Sequence, residues 1–120
     1  MKTYSFEKLI VWNQSRTLVK EIYSLTKLFP KEELFGLTAQ IRRATISVSS
    51  NLAEGSARIS GKEKARFSEV AFGSLMEVLN QLILAQDLGY ISELDILKRR
   101  PLIEEIANKI NKLRKSQLNS

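Results

Sequence analysis

The amino-acid sequence predicts an all-α protein, an antiparallel four-helix bundle with up-down-up-down order. Apolar residues recur at spacings of three and four in successive segments, which is the period of one helical face. Proline or glycine separates these segments, and short connections of this kind join antiparallel neighbours. At 120 residues, of which 43% are hydrophobic, the chain suits one compact domain covering residues 1–120.

The helices are predicted at about 6–28, 32–54, 61–88 and 93–117. An extended coiled coil is the structural alternative. Its heptad repeats would be interrupted at four positions, namely Pro30, Gly55, Gly61 and Gly89. The bundle is therefore the preferred interpretation.

The first predicted helix begins near Ser5, a residue type that caps helix N-termini, with Glu7 in the first turn. An apolar stripe follows at spacings of 4, 3 and 4: Leu18, Ile22, Leu25 and Phe29. Pro30 then forces a short connection, because the residue before a proline resists helical geometry.

The second and third helices are predicted to flank one clear loop at residues 56–61. Gly55 precedes this loop and is expected to close helix two in the left-handed conformation. Ser60 followed by Glu63 fits a capping box, so helix three begins there. The stripe of helix two contains Leu34, Leu37, Ile41, Val48 and Leu52, with the small residues Ala44 and Thr45 in its middle.

Helix three is the most apolar segment. Its apolar residues cover a wide arc: Phe67, Ala71, Phe72, Leu75, Val78, Leu79, Leu82 and Ile83. An arc of this width is typical of a helix buried on several sides, so we predict that helix three is central. No Lys or Arg occurs between Phe67 and Ile91, although Glu69, Glu77 and Asp87 remain. The bundle core, a subunit interface or both would explain this pattern.

The fourth helix is predicted to follow Gly89, with Ser92 and Asp95 at its start. Its apolar residues repeat at spacings of 3, 4 and 3: Ile103, Ile106, Ile110 and Leu113. Pro101 lies within this helix and is expected to kink it or divide it, since proline lacks the backbone N–H.

The composition limits the chemistry. Cysteine and histidine are both absent, which removes the common nucleophile-base pairs and the thiolate or imidazole ligands of metals. No cofactor is expected, and catalysis is a distant third possibility. No signal-like or membrane-spanning run is present, so we expect a cytoplasmic protein without a membrane partner. The net charge of +6 makes polyanions the favoured large partners.

A polar stripe on helix two lies beside the apolar one and contains Gln40, Arg43, Ser47, Asn51 and Glu54. Helix three has a counterpart in Ser74, Glu77 and Gln81. These residue types favour a partly buried hydrogen-bonding seam over a solvated face, which usually carries Lys and Glu. If helices two and three are antiparallel, Arg42 or Arg43 lies level with Glu77. We therefore predict a buried ion pair there, which would set the register.

Two groups of basic residues are candidate phosphate contacts. The preferred group brackets the loop between helices two and three: Arg58, Lys62, Lys64 and Arg66. The fourth helix carries the other group, Lys98, Arg99, Arg100, Lys109, Lys112, Arg114 and Lys115, but its Glu104 and Glu105 favour an ordinary solvated surface. Neither group is interleaved with exposed aromatic residues that would stack on bases, so sequence-specific reading is not indicated.

Several of these residues form motifs of a known family. One run is Gln40-Ile41-Arg42-Arg43-Ala44, continuing through Ser47 to Asn51-Leu52-Ala53-Glu54-Gly55, and it is accompanied by residues 71–77 and 29–37. Over nearly its whole length the chain resembles the four-helix-bundle proteins first noticed as reading frames inside 23S ribosomal RNA intervening sequences. The fourth helix, with Pro101, matches the family least.

The resemblance implies a bacterial, non-enzymatic protein that assembles into a homo-oligomeric ring, a pentamer, in which the polar stripes are structural seams. It also implies a relation to the accessory variability proteins of diversity-generating retroelements, which are basic rings that bind nucleic acid and a reverse transcriptase. Two hypotheses follow. The chain is a scaffold for RNA or DNA, or it is a structural or protein-interaction ring whose positive charge is incidental.

Overall fold

The computed structural model describes all 120 residues, and they form four α-helices and no strand. The helices are α1, Ile10–Thr26; α2, Leu37–Ser56; α3, Gly61–Asp87; and α4, Glu93–Leu118. Single turns of 3-10 helix cover Ser5–Lys8 and Lys31–Glu33. No helix is both long enough and apolar enough to cross a membrane.

Each helix packs against two others. α1 and α3 both contact α2 and α4, but α1 and α3 do not contact each other and therefore lie diagonally across the bundle. All four helices contribute to one apolar core, and the chain measures 45 × 28 × 20 Å. A single shared core of this kind excludes the extended coiled coil.

The core is built from the stripes that the spacing predicts. Its largest fully buried members are Leu18, Ile22, Ile41, Val48, Leu52, Leu75, Val78, Leu82, Ile103, Ile106 and Ile110. Leu34 is an exception and is exposed, because it lies in the connection before α2. The 3.6-residue period thus locates the buried face wherever the chain is helical.

The prediction that helix three is the central helix is wrong. α3 has only two helical neighbours, and part of its wide apolar arc faces outward. Val70, Met76, Ile83, Leu84 and Leu88 each expose between 37% and 57% of their surface. The excess apolar surface is therefore not explained by burial within one chain.

The first α-helix begins at Ile10 rather than near Ser5. Leu9 is extended, with φ −73° and ψ 123°, and separates α1 from the 3-10 turn before it. This break allows the Phe6 ring to lie 4.8 Å from the Trp12 ring in an edge-on arrangement. Residues six apart on one continuous helix do not face each other, so the aromatic contact favours the break.

Both ends of α2 differ from the prediction. The helix begins at Leu37, whose N–H donates to Glu33 Oε1 at 3.0 Å, so a glutamate in the connection serves as its cap. At the other end α2 continues through Gly55 to Ser56, and Gly55 does not adopt a positive φ. Gly55 is instead buried where a Cβ would lie 2.7 Å from the Cβ of Phe67 on α3. Close approach of the two helices, not helix termination, requires this glycine.

The connection from α3 to α4 follows local sequence rules. Gly89 has φ +80°, and the N–H groups of Gly89 and Tyr90 donate back to the carbonyls of Gln86 and Ala85. This is the Schellman arrangement that closes a helix. Ser92 and Asp95 then form a reciprocal capping box at the start of α4.

Pro101 does not divide the fourth helix, which is continuous from Glu93 to Leu118. The ring of Pro101 and the side chain of Leu97, four residues earlier, are both exposed. Because Pro101 has no N–H, the Leu97 carbonyl lacks its usual helical donor. This carbonyl is on the solvent side, where water can bind it, so the proline is tolerated there.

Candidate functional site

The preferred basic residues lie at one end of the bundle, where α2 connects to α3. Arg58 is in the connection, and Lys62, Lys64 and Arg66 are in the first two turns of α3. We call this region the basic end. Arg58, Lys62 and Arg66 are exposed, and Lys64 is half-buried in a groove with Leu113 and Gln117 of α4.

Two of these cations share one aromatic ring. The guanidinium carbons of Arg58 and Arg66 lie 4.5 and 4.9 Å from the centre of the Phe67 ring. Arg66 also forms an exposed ion pair with Glu63 at 3.3 Å. Stacking restrains both long arginine side chains. The N–H groups of Arg58 stay available to a phosphate, whereas Nε and Nη2 of Arg66 donate to Glu63.

The fold adds the C-terminal turns of α4 to the basic end. The side-chain Oε1 of Gln117 accepts a hydrogen bond of 2.6 Å from the Ser68 hydroxyl. The backbone carbonyl of Gln117 lies so close to Gly61 that a Cβ at that position would clash with it. The neighbouring cations of α4 are Lys112, Arg114 and Lys115. Arg114 pairs with Glu69 at 3.4 Å, whereas Lys112 and Lys115 have no ion-pair partner in the chain. Two basic groups that are separate in sequence therefore meet.

The middle of the predicted polar seam is formed as a hydrogen-bonded network. The hydroxyls of Ser47 on α2 and Ser74 on α3 are 2.8 Å apart and share a hydrogen bond. Asn51 Nδ2 donates to Ser47 Oγ at 3.0 Å and to the Ser47 carbonyl at 2.8 Å. These groups are buried or half-buried, so the bonds fix the register of α2 against α3.

The outer members of the seam behave differently. Gln40, Arg43, Glu54 and Glu77 are all exposed. The predicted buried ion pair of Glu77 with Arg42 or Arg43 is wrong, because Glu77 is in solvent and has no cation partner in the chain.

Arg42 points away from α3, towards α1. Its guanidinium lies 4.4 Å from the centre of the Tyr23 ring, and its Nε donates to Thr26 Oγ1 at 2.9 Å. The cation–π contact and the hydrogen bond both occupy the guanidinium that the predicted ion pair required.

An open cleft of about 660 Å³ separates the exposed parts of α2 and α3. Arg43 and Gln40 line its α2 side, and Glu77 and Gln81 line its α3 side, with Ser47 and Ser74 at the centre. Gln81 is 92% buried, and its Oε1 has no hydrogen-bond partner. A buried acceptor without a donor is unusual in folded proteins.

One polar cluster was not predicted from the sequence. Glu33 accepts a hydrogen bond of 2.8 Å from the Tyr90 hydroxyl, which belongs to the connection between α3 and α4. Together with the Leu37 N–H, this bond holds the pKa of Glu33 below its ordinary value, while the bond to Glu33 raises the pKa of Tyr90. No three carboxylates of the chain lie close enough together to hold a metal ion.

Comparison with known families confirms the resemblance carried by the motifs. A family model described as 23S rRNA-intervening sequence protein matches residues 7–112. Comparison with curated proteins finds no match. The matched stretch includes all of the α2 motif and the polar seam, and the basic end except for Arg114, Lys115 and Gln117. It spans far more than half of the chain. The chain therefore belongs to the 23S rRNA-intervening sequence protein family.

Proposed function

We propose that this protein is a non-enzymatic scaffold for RNA or DNA. In this proposal the up-down-up-down bundle assembles into a homo-oligomeric ring, with five subunits as the family resemblance implies. The basic end holds the nucleic acid by its phosphates. On the resemblance alone, a reverse-transcriptase-like protein is a candidate partner.

The observation that carries the proposal is the gathering of cations from two segments at the basic end. Arg58, Lys62, Lys64, Lys112 and Lys115 have no ion-pair partner in the chain. Glu63 and Glu69 nearby are each paired with an arginine, and Glu54, in the last turn of α2, is exposed and unpaired. A phosphate backbone would therefore meet several uncompensated positive charges. In an oligomer, each subunit repeats this surface, which multiplies the field.

The same surface favours contact with phosphates over reading of bases. Phe67 of α3 lies at this end and is half-buried with two guanidinium groups over it. A ring covered in this way offers no platform for an unpaired base, whereas lysine and arginine ends bind any sequence. The expected binding is strong at low salt and shows little sequence preference.

The test compares two variants with equal loss of charge. Arg58→Gln, Lys62→Gln and Arg66→Gln together remove three cations from the basic end. Lys31→Gln, Lys98→Gln and Arg100→Gln remove three from the opposite end, near the connection of α3 to α4. Affinity for fluorescent single-stranded and double-stranded RNA and DNA is measured at low salt by anisotropy, after circular dichroism has shown that both variants fold.

We expect the basic-end variant to bind at least tenfold more weakly and the control to bind like the wild-type protein. Equal losses in both variants would mean that net charge alone matters. No binding by the wild-type protein would leave the alternative of a protein-interaction ring with incidental charge.

A further inference from the structure

The outward side of α3 is apolar and acidic. We define the α3 outer face by the exposed residues from Val70 to the C-cap Leu88: Val70, Gly73, Met76, Glu77, Asn80, Ile83, Leu84, Asp87 and Leu88. Five of these nine residues are large and apolar, two are acidic, and none is basic. A protein that carries +6 overall thus has one face with the opposite charge. Contiguous exposed apolar surface of this kind is typical of a protein contact.

The outward side of α1 is basic, and the one carboxylate of this helix, Glu21, is partly exposed and lies 3.9 Å from Arg99 of α4. We define the α1 outer face by its exposed residues Asn13, Arg16, Thr17, Lys20, Ser24 and Lys27. Beside this face a groove of about 290 Å³ runs between α1 and α2, lined by Val19 and Ile46 together with Arg16 and Lys20. An apolar groove with cations at its edge complements apolar side chains flanked by carboxylates.

The charged groups of the two faces lack partners within the chain. Glu77 and Asp87 on α3 form no ion pair, and neither do Lys20 and Lys27 on α1. Glu77 and Asp87 are ten residues apart, about 15 Å along a helix, and Arg16 and Lys27 are eleven apart, about 17 Å. Both carboxylates can therefore meet cations in a single contact between helices.

The α2–α3 cleft borders the α3 outer face, and Glu77 lines it from α3 without an ion-pair partner. A helix lying over this edge with ammonium groups, as α1 carries, would place a cation beside Glu77.

We propose that the α3 outer face of one copy of this chain docks on the α1 outer face of a second copy. The inference rests on the homo-oligomer of the proposed function and assigns its interface. A second copy is the favoured occupant because the chain itself carries both complementary faces. Since α1 and α3 lie diagonally across the bundle, the contact is head-to-tail, and such contacts produce closed rings or filaments.

Charge reversal tests the assignment. One variant carries Glu77→Lys and Asp87→Lys, a second carries Lys20→Glu and Lys27→Glu, and a third carries all four substitutions. Glu93→Lys with Glu104→Lys, on exposed positions of α4, is the control for altered net charge. Mass in solution is measured by light scattering over a series of protein concentrations, and helix content by circular dichroism.

We expect the wild-type protein and the control to be multimers of the same mass. Each two-site variant should need at least tenfold more protein to assemble, because like charges then face each other. The four-site variant should recover the wild-type mass, since reversing both faces restores attraction. Recovery distinguishes the head-to-tail contact from an α3–α3 contact, which a change on α1 cannot rescue.

Three results would overturn the proposal. If a two-site variant assembles like the wild-type protein, the assigned interface is wrong, although the protein is still an oligomer. A folded four-site variant that stays dissociated excludes this pairing of faces. If the wild-type protein is monomeric at every concentration, both the interface and the homo-oligomer are wrong. Nucleic-acid binding by the basic end is then tested separately by the affinity measurement.

Discussion

The Tyr90 hydroxyl donates a hydrogen bond of 2.8 Å to Glu33 Oε2 across 57 positions of the sequence. The other carboxylate oxygen of Glu33 accepts from the Leu37 N–H at the start of α2. The ring of Tyr90 also lies 5.7 Å from that of Phe29. One carboxylate therefore joins the connection between α1 and α2 to the connection between α3 and α4.

A double-mutant cycle tests this link. Tyr90→Phe removes the hydroxyl and keeps the ring, and Glu33→Gln removes the charge and keeps the shape. Each should lower the thermal midpoint, and the double variant should lose less than the sum of the two, because both substitutions weaken the same contact. Strictly additive midpoint shifts would show that the two residues are not coupled.

The pH dependence of stability should carry the signature of two carboxylates. The Leu37 N–H, followed by the Tyr90 hydroxyl, lowers the pKa of Glu33 below 4.5, and the Ser92 N–H lowers the pKa of Asp95 below 3.8. A carboxylate whose pKa is lower in the folded than in the unfolded chain stabilises the fold fully at a pH above its unfolded pKa. This contribution is lost as the pH falls through the folded pKa. We expect the midpoint to fall between about pH 5 and pH 2, less steeply in Glu33→Gln. A Glu33→Gln profile parallel to that of the wild-type protein contradicts the assignment.

Two glycines in helices should respond oppositely to alanine. Gly55→Ala places a methyl 2.7 Å from the Cβ of Phe67, and we expect a loss of about 1–2 kcal/mol, since overpacking outweighs the gain in helix propensity. Gly73→Ala meets no neighbour and should gain about 0.5–1 kcal/mol. Urea unfolding at a fixed protein concentration measures both. A stabilised Gly55→Ala protein would show that α2 and α3 can separate freely at this point.

Adjacent arginines on α2 should also differ. Arg42→Ala removes the contact with Tyr23 and the bond to Thr26, and we expect a loss of about 1 kcal/mol. Arg43 is exposed without an ion pair, so Arg43→Ala should change the free energy of unfolding by less than about 0.5 kcal/mol. Chemical denaturation of the two variants measures the difference, and the reverse order is incompatible with the described orientation of Arg42.

Local rules predict much of this structure. The stripe of Leu18, Ile22 and Leu25 is buried, Gly89 closes α3, and Ser92 with Asp95 opens α4, because helical period, positive φ and capping depend on neighbouring residues only. The direction of Arg42 and the partner of Glu33 depend on α1 and on Tyr90, which are distant in sequence. Periodicity carries no information about such contacts.

The same distinction explains the outcome for the candidate site. The polar spacing of Ser47 and Asn51 predicts a seam, and the hydrogen bond to Ser74 forms it. Spacing alone could not separate Glu77, which faces outward, from Ser74, which faces α2, since the two are three positions apart. The meeting of Lys64 with the end of α4 follows from the fold and not from either basic group.

The salt dependence of nucleic-acid binding by the wild-type protein tests the central claim most directly. Affinity for a fluorescent single-stranded RNA and for a DNA duplex is measured by anisotropy from low to physiological salt. If each of the five unpaired cations of one basic end contacts a phosphate, the logarithm of the binding constant falls linearly with the logarithm of salt, with a slope of about −3.5 to −4.5. Binding that does not change with salt, or no binding at low salt, would contradict a scaffold that holds nucleic acid through the cations of its basic end.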